Sequence, residues 1–418
     1  MALIDIVHAR EILDSRGRPT VETEILLDDG SLGRASVPSG ASTGTREARE
    51  LRDGDLKRFA GRGVLHAVDH VNVAISRAIR GLDACDERRV DRVLIDTDGS
   101  PDKSRLGANA ILSVSMAVAR AAAASTNRWL YEYLAVGQPR LPVPMINVIN
   151  GGAHAANPLD FQEFMLVPHG APSFREAVRW GAEVFYVLES LLTSVGHVTA
   201  VGDEGGYAPD FWTPEETLSM LVSAIERAGY RPGVDISLAI DVAASELHAR
   251  NQYAFHKSRQ PSVSSDEMVE LLERLTARFP IISIEDGLAD DDWAGWQRLT
   301  ARLRTNVMLV GDDLFVTHPD IIRRAIADGV ANATIVKLNQ IGTVSETLDA
   351  IAAAHAGGYR TIVSHRSGDT EDPFIADLSV ATGAAFIKSG SLARSERVAK
   401  YNQLMRIEER LGPAAQFG

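Results

Sequence analysis

Two hydrophobic spacings alternate along this chain, and their order changes near residue 140. On the N-terminal side, Val21 to Leu27 (VETEILL) reads as a strand, Asp29-Gly30 as a tight turn, and Gly33 to Val37 as the returning strand of a hairpin. Apolar positions at steps of three and four then predict helices over Leu65 to Ile79, Asp86 to Asp96 and Ala108 to Ala124. A run of strands followed by a run of helices predicts a small α+β domain, placed at 1–136. Gly137 to Pro144 contains three prolines and reads as the link into a second domain, 137–418.

In that second part, short apolar runs take turns with amphipathic stretches. Candidate strands fall near 143–149, 161–167, 236–241, 280–285, 307–312, 333–337, 361–366 and 385–388. Helices are predicted between most of them, for example over Ser173 to Ser194, Pro214 to Ala228 and Ser265 to Arg278. The link between the first two strands, GGAHAANPLD, is too short for a crossover helix, so those strands are expected to be antiparallel. The predicted fold is α/β: an irregular eight-stranded β/α barrel preceded by the smaller α+β domain.

The strand ends carry charge in a definite order. ISLAID ends at Asp241, PIISIE at Glu285 and VMLVGD at Asp312; ATIVK then ends at Lys337, TIVSHR at His365 and Arg366, and FIK at Lys388. A β/α barrel gathers the C-terminal ends of its strands at one mouth, where its chemistry sits. Carboxylates without thiols or a His cluster suit a hard cation such as magnesium. A single acidic strand end has an ordinary structural explanation, but three on successive strands favour a metal site.

Composition narrows the reading further. A net charge of -13 argues against nucleic acid as a partner, so any anion must be met by local positive charge. Cys85 is the only cysteine, which excludes an intrachain disulfide and suits a reducing, cytoplasmic setting. MALIDIVHAR lacks a basic and apolar leader pattern, and Ala108 to Ala124, with Asn109 and Arg120, reads as a buried core helix rather than a membrane span.

Several residues invite a chemical role. Glu163 lies in the apolar strand FQEFM, where a buried carboxylate needs a partner or a task. Glu204 lies in VGDEGG, whose glycines by themselves require only a tight turn. Lys337 and Lys388 follow apolar runs, and buried lysines are rare without a purpose. Acting as a base, a lysine must be neutral; a second lysine, desolvation or a metal would lower its pKa from about 10.4. His365-Arg366-Ser367 offers donors for a phosphate, although Ser367 also fits a helix cap. Together these groups suit proton removal from carbon beside a carboxylate, with a carboxyl such as Glu204 as acid toward a neighbouring hydroxyl.

The ordered stretches DSRGRPTVE, VPSGASTG, LGANAIL, NVINGGAHA, QEFM, VGDEGGYAP, DVAASE, SIED, VGDDLFVT, VKLNQIG, VSHRSGDTED, IKSG and RSERVAKYNQLMRIEE resemble the enolase family over essentially the whole chain. The pairing of a Lys base with magnesium is a known pattern of that superfamily. The resemblance implies that Asp241, Glu285 and Asp312 hold one magnesium and that Ser42 ligates a second as its loop closes. It implies Lys337 as the base, Glu204 as the acid helped by Glu163, and Lys388 as the neutraliser of the substrate carboxylate. Arg366 and Ser367 would hold the phosphate with His365 beside them, His154 would close over the site, and Gln162 would support it. It further implies a small anionic substrate and a homodimer or higher homo-oligomer, with Glu22 and Arg406 matching a pair that crosses the interface in relatives.

The chain departs from the family pattern at Arg18, Arg46, Arg49, Pro158, Phe211 and Trp212, and has IKSG where IKTG is usual. Two enzyme readings follow: dehydration of 2-phosphoglycerate to phosphoenolpyruvate, or the same deprotonation on a related phospho or phosphono carboxylic acid, as in a carboxyphosphonoenolpyruvate synthase-like paralogue. A binding-only protein would be free to lose the lysines and carboxylates, and this sequence keeps them.

Overall fold

The computed structural model describes residues 1–40, 44 and 46–418. Three antiparallel strands open the chain: β1 (Ile4–Leu13), β2 (Pro19–Leu27) and β3 (Leu32–Ser36), paired in that order. The hairpin of β2 and β3 lies where the sequence places it. β1 is an addition, because its alternation is broken by exposed residues such as Ile6. Gly33 on β3 shows how closely this sheet meets the helix Ala108–Ser125: a Cβ at that position would lie 2.0 Å from the Ala117 carbonyl oxygen.

The helix predicted over 65–79 is not uniform. Helical segments Leu65–His70 and Ser76–Ile79 flank a π-helical turn, Val71–Ile75. Asn72 in that turn exchanges hydrogen bonds with the Ala9 backbone, accepting at 2.7 Å and donating at 3.1 Å. Helices Glu87–Asp98 and Ala108–Ser125 follow. Ala108–Ser125 is long and apolar enough to cross a membrane, yet 83% of it is buried inside the fold, as a core helix.

The second part is a closed eight-stranded barrel. Its strands are β4 (Val143–Asn150), β5 (Glu163–Val167), β6 (Ser237–Asp241), β7 (Ile281–Glu285), β8 (Met308–Gly311), β9 (Ala333–Val336), β10 (Arg360–Ser364) and β11 (Phe386–Lys388). Each is within a few residues of its expected place, and β4 begins at Val143, inside the stretch expected to be linker. β4 and β5 are antiparallel, as the short link requires, and β5 is antiparallel to β6 as well. The other pairs, including β11 with β4, are parallel, so β5 alone runs backwards.

Two helices in succession, Phe174–Ser194 and Pro214–Arg227, connect β5 to β6. Ser173 and Thr213 cap them by accepting from the amides three residues on. The lumen is filled by Met145, Met165, Met308, Val310, Ile335 and Ile362, a packed core rather than a pore.

Candidate active site

The strand order places β5 to β8 along one arc of the barrel mouth and β9 to β11 along another. The first arc is acidic. Glu163 begins β5, Asp241 and Glu285 end β6 and β7, and Asp312 follows β8. The second arc is cationic. Lys337 follows β9, His365 and Arg366 follow β10, and Lys388 ends β11. The reversal of β5 is what brings Glu163 to this mouth, since its first residue lies where the other strands have their last; Glu163 is paired with Asp241.

Lys388 reaches across the lumen. Its ammonium lies 2.9 Å from both Glu285 oxygens, 3.0 Å from Asp241 and 3.2 Å from Glu163. Lys337 is ion-paired with Asp312, which also accepts from Gln340 Nε2 at 2.8 Å. Gln340 is oriented in turn by the Thr317 hydroxyl at 2.6 Å. Arg366 donates to Glu47 at 3.0 and 3.3 Å and to Asn339 at 2.9 Å. Arg16 of the N-terminal domain lies 3.4 Å from the Ser367 hydroxyl, so that domain supplies groups to the mouth.

A second cluster is formed by His154, Glu163 and Glu204. His154 Nδ1 is 3.4 Å from Glu163 and 3.7 Å from Glu204, and His365 Nε2 is 3.5 Å from Glu204. Glu204 stands on the turn predicted from VGDEGG; Gly205 there has φ +85, a conformation L side chains rarely adopt. Asn147 Nδ2 donates to Glu204 at 3.1 Å. Gln162 donates to Asp241 at 3.2 Å.

Their environments push these groups apart. Burial, reinforced by Glu204, raises the Glu163 carboxyl above the usual range. Burial acts the same way on Glu204, but His154, His365 and Arg397 outweigh it and pull that carboxyl well below the range. The two carboxyls are thus driven in opposite directions, Glu163 toward keeping a proton and Glu204 toward the ionised form. His154 overcomes burial through Glu204 and Glu163 and is raised to about 9, whereas burial lowers His365 to about 4. Lys337, despite burial, is held protonated by Asp312.

The donor set fits a hard divalent cation. Of the predicted carboxylates, Asp312 joins Asp286 and Asp313, the three bringing oxygens within 4.8 Å of one another, a grouping the sequence reading did not include. Negative charge is in excess here: burial and then Asp241 raise Glu285 well above the ordinary range, and burial with Asp312 raises Asp313 to about 7. The side-chain oxygen of Gln162 is also buried without a hydrogen-bond partner.

One cavity at the mouth is lined by His154, Gln162, Glu163, Glu204, Asp241, Asp312, Lys337, His365, Arg366, Ser367 and Lys388. Of the predicted site residues, Glu285 lies just behind this lining, held to Lys388. Ser42 lies outside the described residues. Sequence reasoning did not single out Asn147, Gln340, Glu47 or Arg397. Their short polar contacts join segments far apart in the chain, and no local pattern reports those.

Residues 4–134 match the family model for the enolase N-terminal domain, and residues 138–418 match that for the enolase C-terminal TIM barrel domain. The chain belongs to the enolase family. It is accordingly an enolase-superfamily lyase with acidic residues able to bind metal.

Proposed function

We propose that this lyase is a magnesium-dependent hydro-lyase that interconverts 2-phosphoglycerate with phosphoenolpyruvate and water. The supporting observation is the placement of two proton-handling groups. Lys337 follows β9, and Glu163, which neighbours Glu204 through His154, begins β5, four strands away in a barrel of eight, so a substrate in the cavity meets the base on one side and the carboxyl pair Glu163 and Glu204 on the other. An elimination needs that arrangement: the C2 proton leaves toward one side and the C3 hydroxyl toward the other.

In this scheme neutral Lys337 takes the C2 proton, and the freed electron pair passes into the substrate carboxylate. As the C2–C3 double bond forms, the C3–O bond breaks and the hydroxyl takes a proton to leave as water. We assign that delivery to Glu204, with Glu163 as the neighbouring proton reservoir and His154 between them. Lys388 offsets charge on the substrate carboxylate, while Arg366 and Ser367 receive the phosphate beside His365. Asp241, Glu285 and Asp312 would hold one magnesium, and Ser42 would contribute to a second. Such ions, when bound, supply positive charge that stabilises a doubly ionised carboxylate and competes with Lys337 for Asp312.

The departures from the family pattern support 2-phosphoglycerate over a modified acid. Among the described residues, Arg46, Arg49, Pro158, Phe211 and Trp212 do not line the cavity. Arg46 donates to the Leu314 carbonyl at 3.1 Å, Arg49 pairs with Asp102 at 3.1 Å, and Phe211 is buried.

The proposed domain boundary lies at 136/137, and we propose a homodimer or higher homo-oligomer in the cytoplasm. Within one protomer Glu22 accepts from Arg10 at 2.5 Å, so a crossing Arg406 would join an existing pair. Charge reversal at Arg406 should weaken association; an unchanged sedimentation profile would count against that contact. The activity itself is tested by following the ultraviolet absorbance of the new enol double bond with 2-phosphoglycerate and magnesium. Rapid turnover abolished by a chelator is expected. Negligible turnover by folded, magnesium-loaded protein would refute the assignment.

A further inference from the structure

The C-terminal helix Ser395–Leu411 carries an arginine that never reaches the cavity yet touches what lines it. Arg397 is fully buried. Its Nη1 bonds to His365 Nδ1 and donates to the Arg366 carbonyl at 2.6 Å. Nη2 donates to the Ser367 carbonyl at 2.6 Å and the Asp203 carbonyl at 3.2 Å. One guanidinium therefore ties the turn bearing Glu204 to the segment bearing His365, Arg366 and Ser367. Its charge is balanced by Asp369 at 3.6 Å and Glu396 at 3.4 Å.

The chemistry of the first contact is directional. A guanidinium has only N–H donors and stays protonated in proteins. His365 Nδ1 must therefore be a lone-pair acceptor, which leaves the ring proton on Nε2. Nε2 is the nitrogen 3.5 Å from Glu204. We propose that Arg397 is a positioning residue that fixes His365 in its Nε2-protonated tautomer and so aims that N–H at the Glu204 carboxylate. Its role in turnover rests on the assignment of Glu204 to the reacting hydroxyl; the tautomer itself does not.

The same contact disfavours a second proton on the ring, because the imidazolium would place an N–H against the guanidinium. This agrees with His365 being lowered to about 4, by burial first and with Arg397 contributing. Simple hole-filling by a buried arginine would require no particular proton position on His365.

The test reads the ring directly. The full-length, ion-free protein is labelled with 15N-histidine, and the His365 signal is identified by its loss in His365→Gln. A neutral ring protonated on Nε2, unchanged from about pH 5.5 to 8, is expected. An Nδ1-protonated ring or an imidazolium in that range overturns the proposal whatever the enzyme's substrate proves to be, and this arm needs no Arg397 variant to fold. In Arg397→Met, which removes the donor facing Nδ1, the His365 signal should show mixed tautomers, and kcat should fall at least about tenfold. On the His365→Gln background the same change should cost little further, because the effect passes through the ring. Equal losses in both backgrounds would reject it.

Discussion

Lys337 and Asp312 close onto each other across neighbouring strand ends, so the residue assigned as base is neutralised by a residue assigned as metal ligand. In this state the base is occupied: Asp312 outweighs burial and keeps the ammonium protonated. Competent deprotonation and cation binding are thus expected to depend on the same carboxylate.

Replacing Lys337 by Met removes the base and leaves the buried Asp312 carboxylate without its ammonium. Loss of one positioned acid–base group typically costs about 10²–10⁴ in rate. We expect kcat to fall by that range and exchange of the C2 proton with solvent to be lost as well. Proton exchange at the native rate would place the base elsewhere.

Asp312→Asn keeps the side-chain shape and removes the charge. Magnesium affinity by calorimetry should fall at least about tenfold, as metal sites respond even to loss of a supporting partner. In the parent protein, magnesium at about a hundred times its dissociation constant should stabilise the fold by about 2.7 kcal/mol. An equal thermal shift in Asp312→Asn would remove Asp312 from the ligand set.

The loop carrying His154 is held from outside the cavity. Lys257 Nζ donates to the Gly152 and Ala155 carbonyls, each at 2.6 Å, while Asp160 accepts from the Lys257 and Ser258 amides at 2.9 and 3.1 Å. Lys257→Met should release both carbonyls, at about 1.5–3 kcal/mol for each charged hydrogen bond. Amide exchange across 151–160 should quicken and kcat/KM should drop by at least about tenfold. Unaltered exchange there would mean that the loop is fixed by other contacts.

These contacts show where the sequence stopped being informative. The last six barrel strands were legible because each is a short apolar run with charge at or soon after its end, and Asp241, Glu285, Lys337 and Lys388 lie at or next to those ends. The direction of β5 followed from the length of one link. β1 was missed because exposed Ile6 and Leu13 blur its alternation. Arg397 and Lys257 were missed for a different reason. Most of their hydrogen bonds go to backbone carbonyls, and a carbonyl acceptor leaves no trace in side-chain identity.

A site outside the cavity gives a stability test. The Glu87 carboxyl points inward from a half-buried residue, and its Oε1 has no hydrogen-bond partner. Burial, aided by Asp91, raises it to about 8. The folded state thus binds this proton more tightly than the unfolded state, so stability from this group falls as pH rises from the ordinary carboxyl range to about 8 and is flat above. Glu87→Gln should stabilise the protein by a few kcal/mol at about pH 9 and hardly at all at about pH 4. A gap in thermal midpoint that does not vary with pH would show that the carboxyl is hydrated.

β11 pairs with β10 on one side and β4 on the other, and Lys388 is its last residue. The strand that seals the wall is therefore the strand that delivers the counter-charge to Glu163, Asp241 and Glu285. During synthesis those three carboxylates emerge long before the ammonium that settles them. Until the final strand is in hand, the chain has both an unpaired edge and unanswered negative charge, and a single insertion resolves both. Topological completion and electrical completion of this barrel are one event.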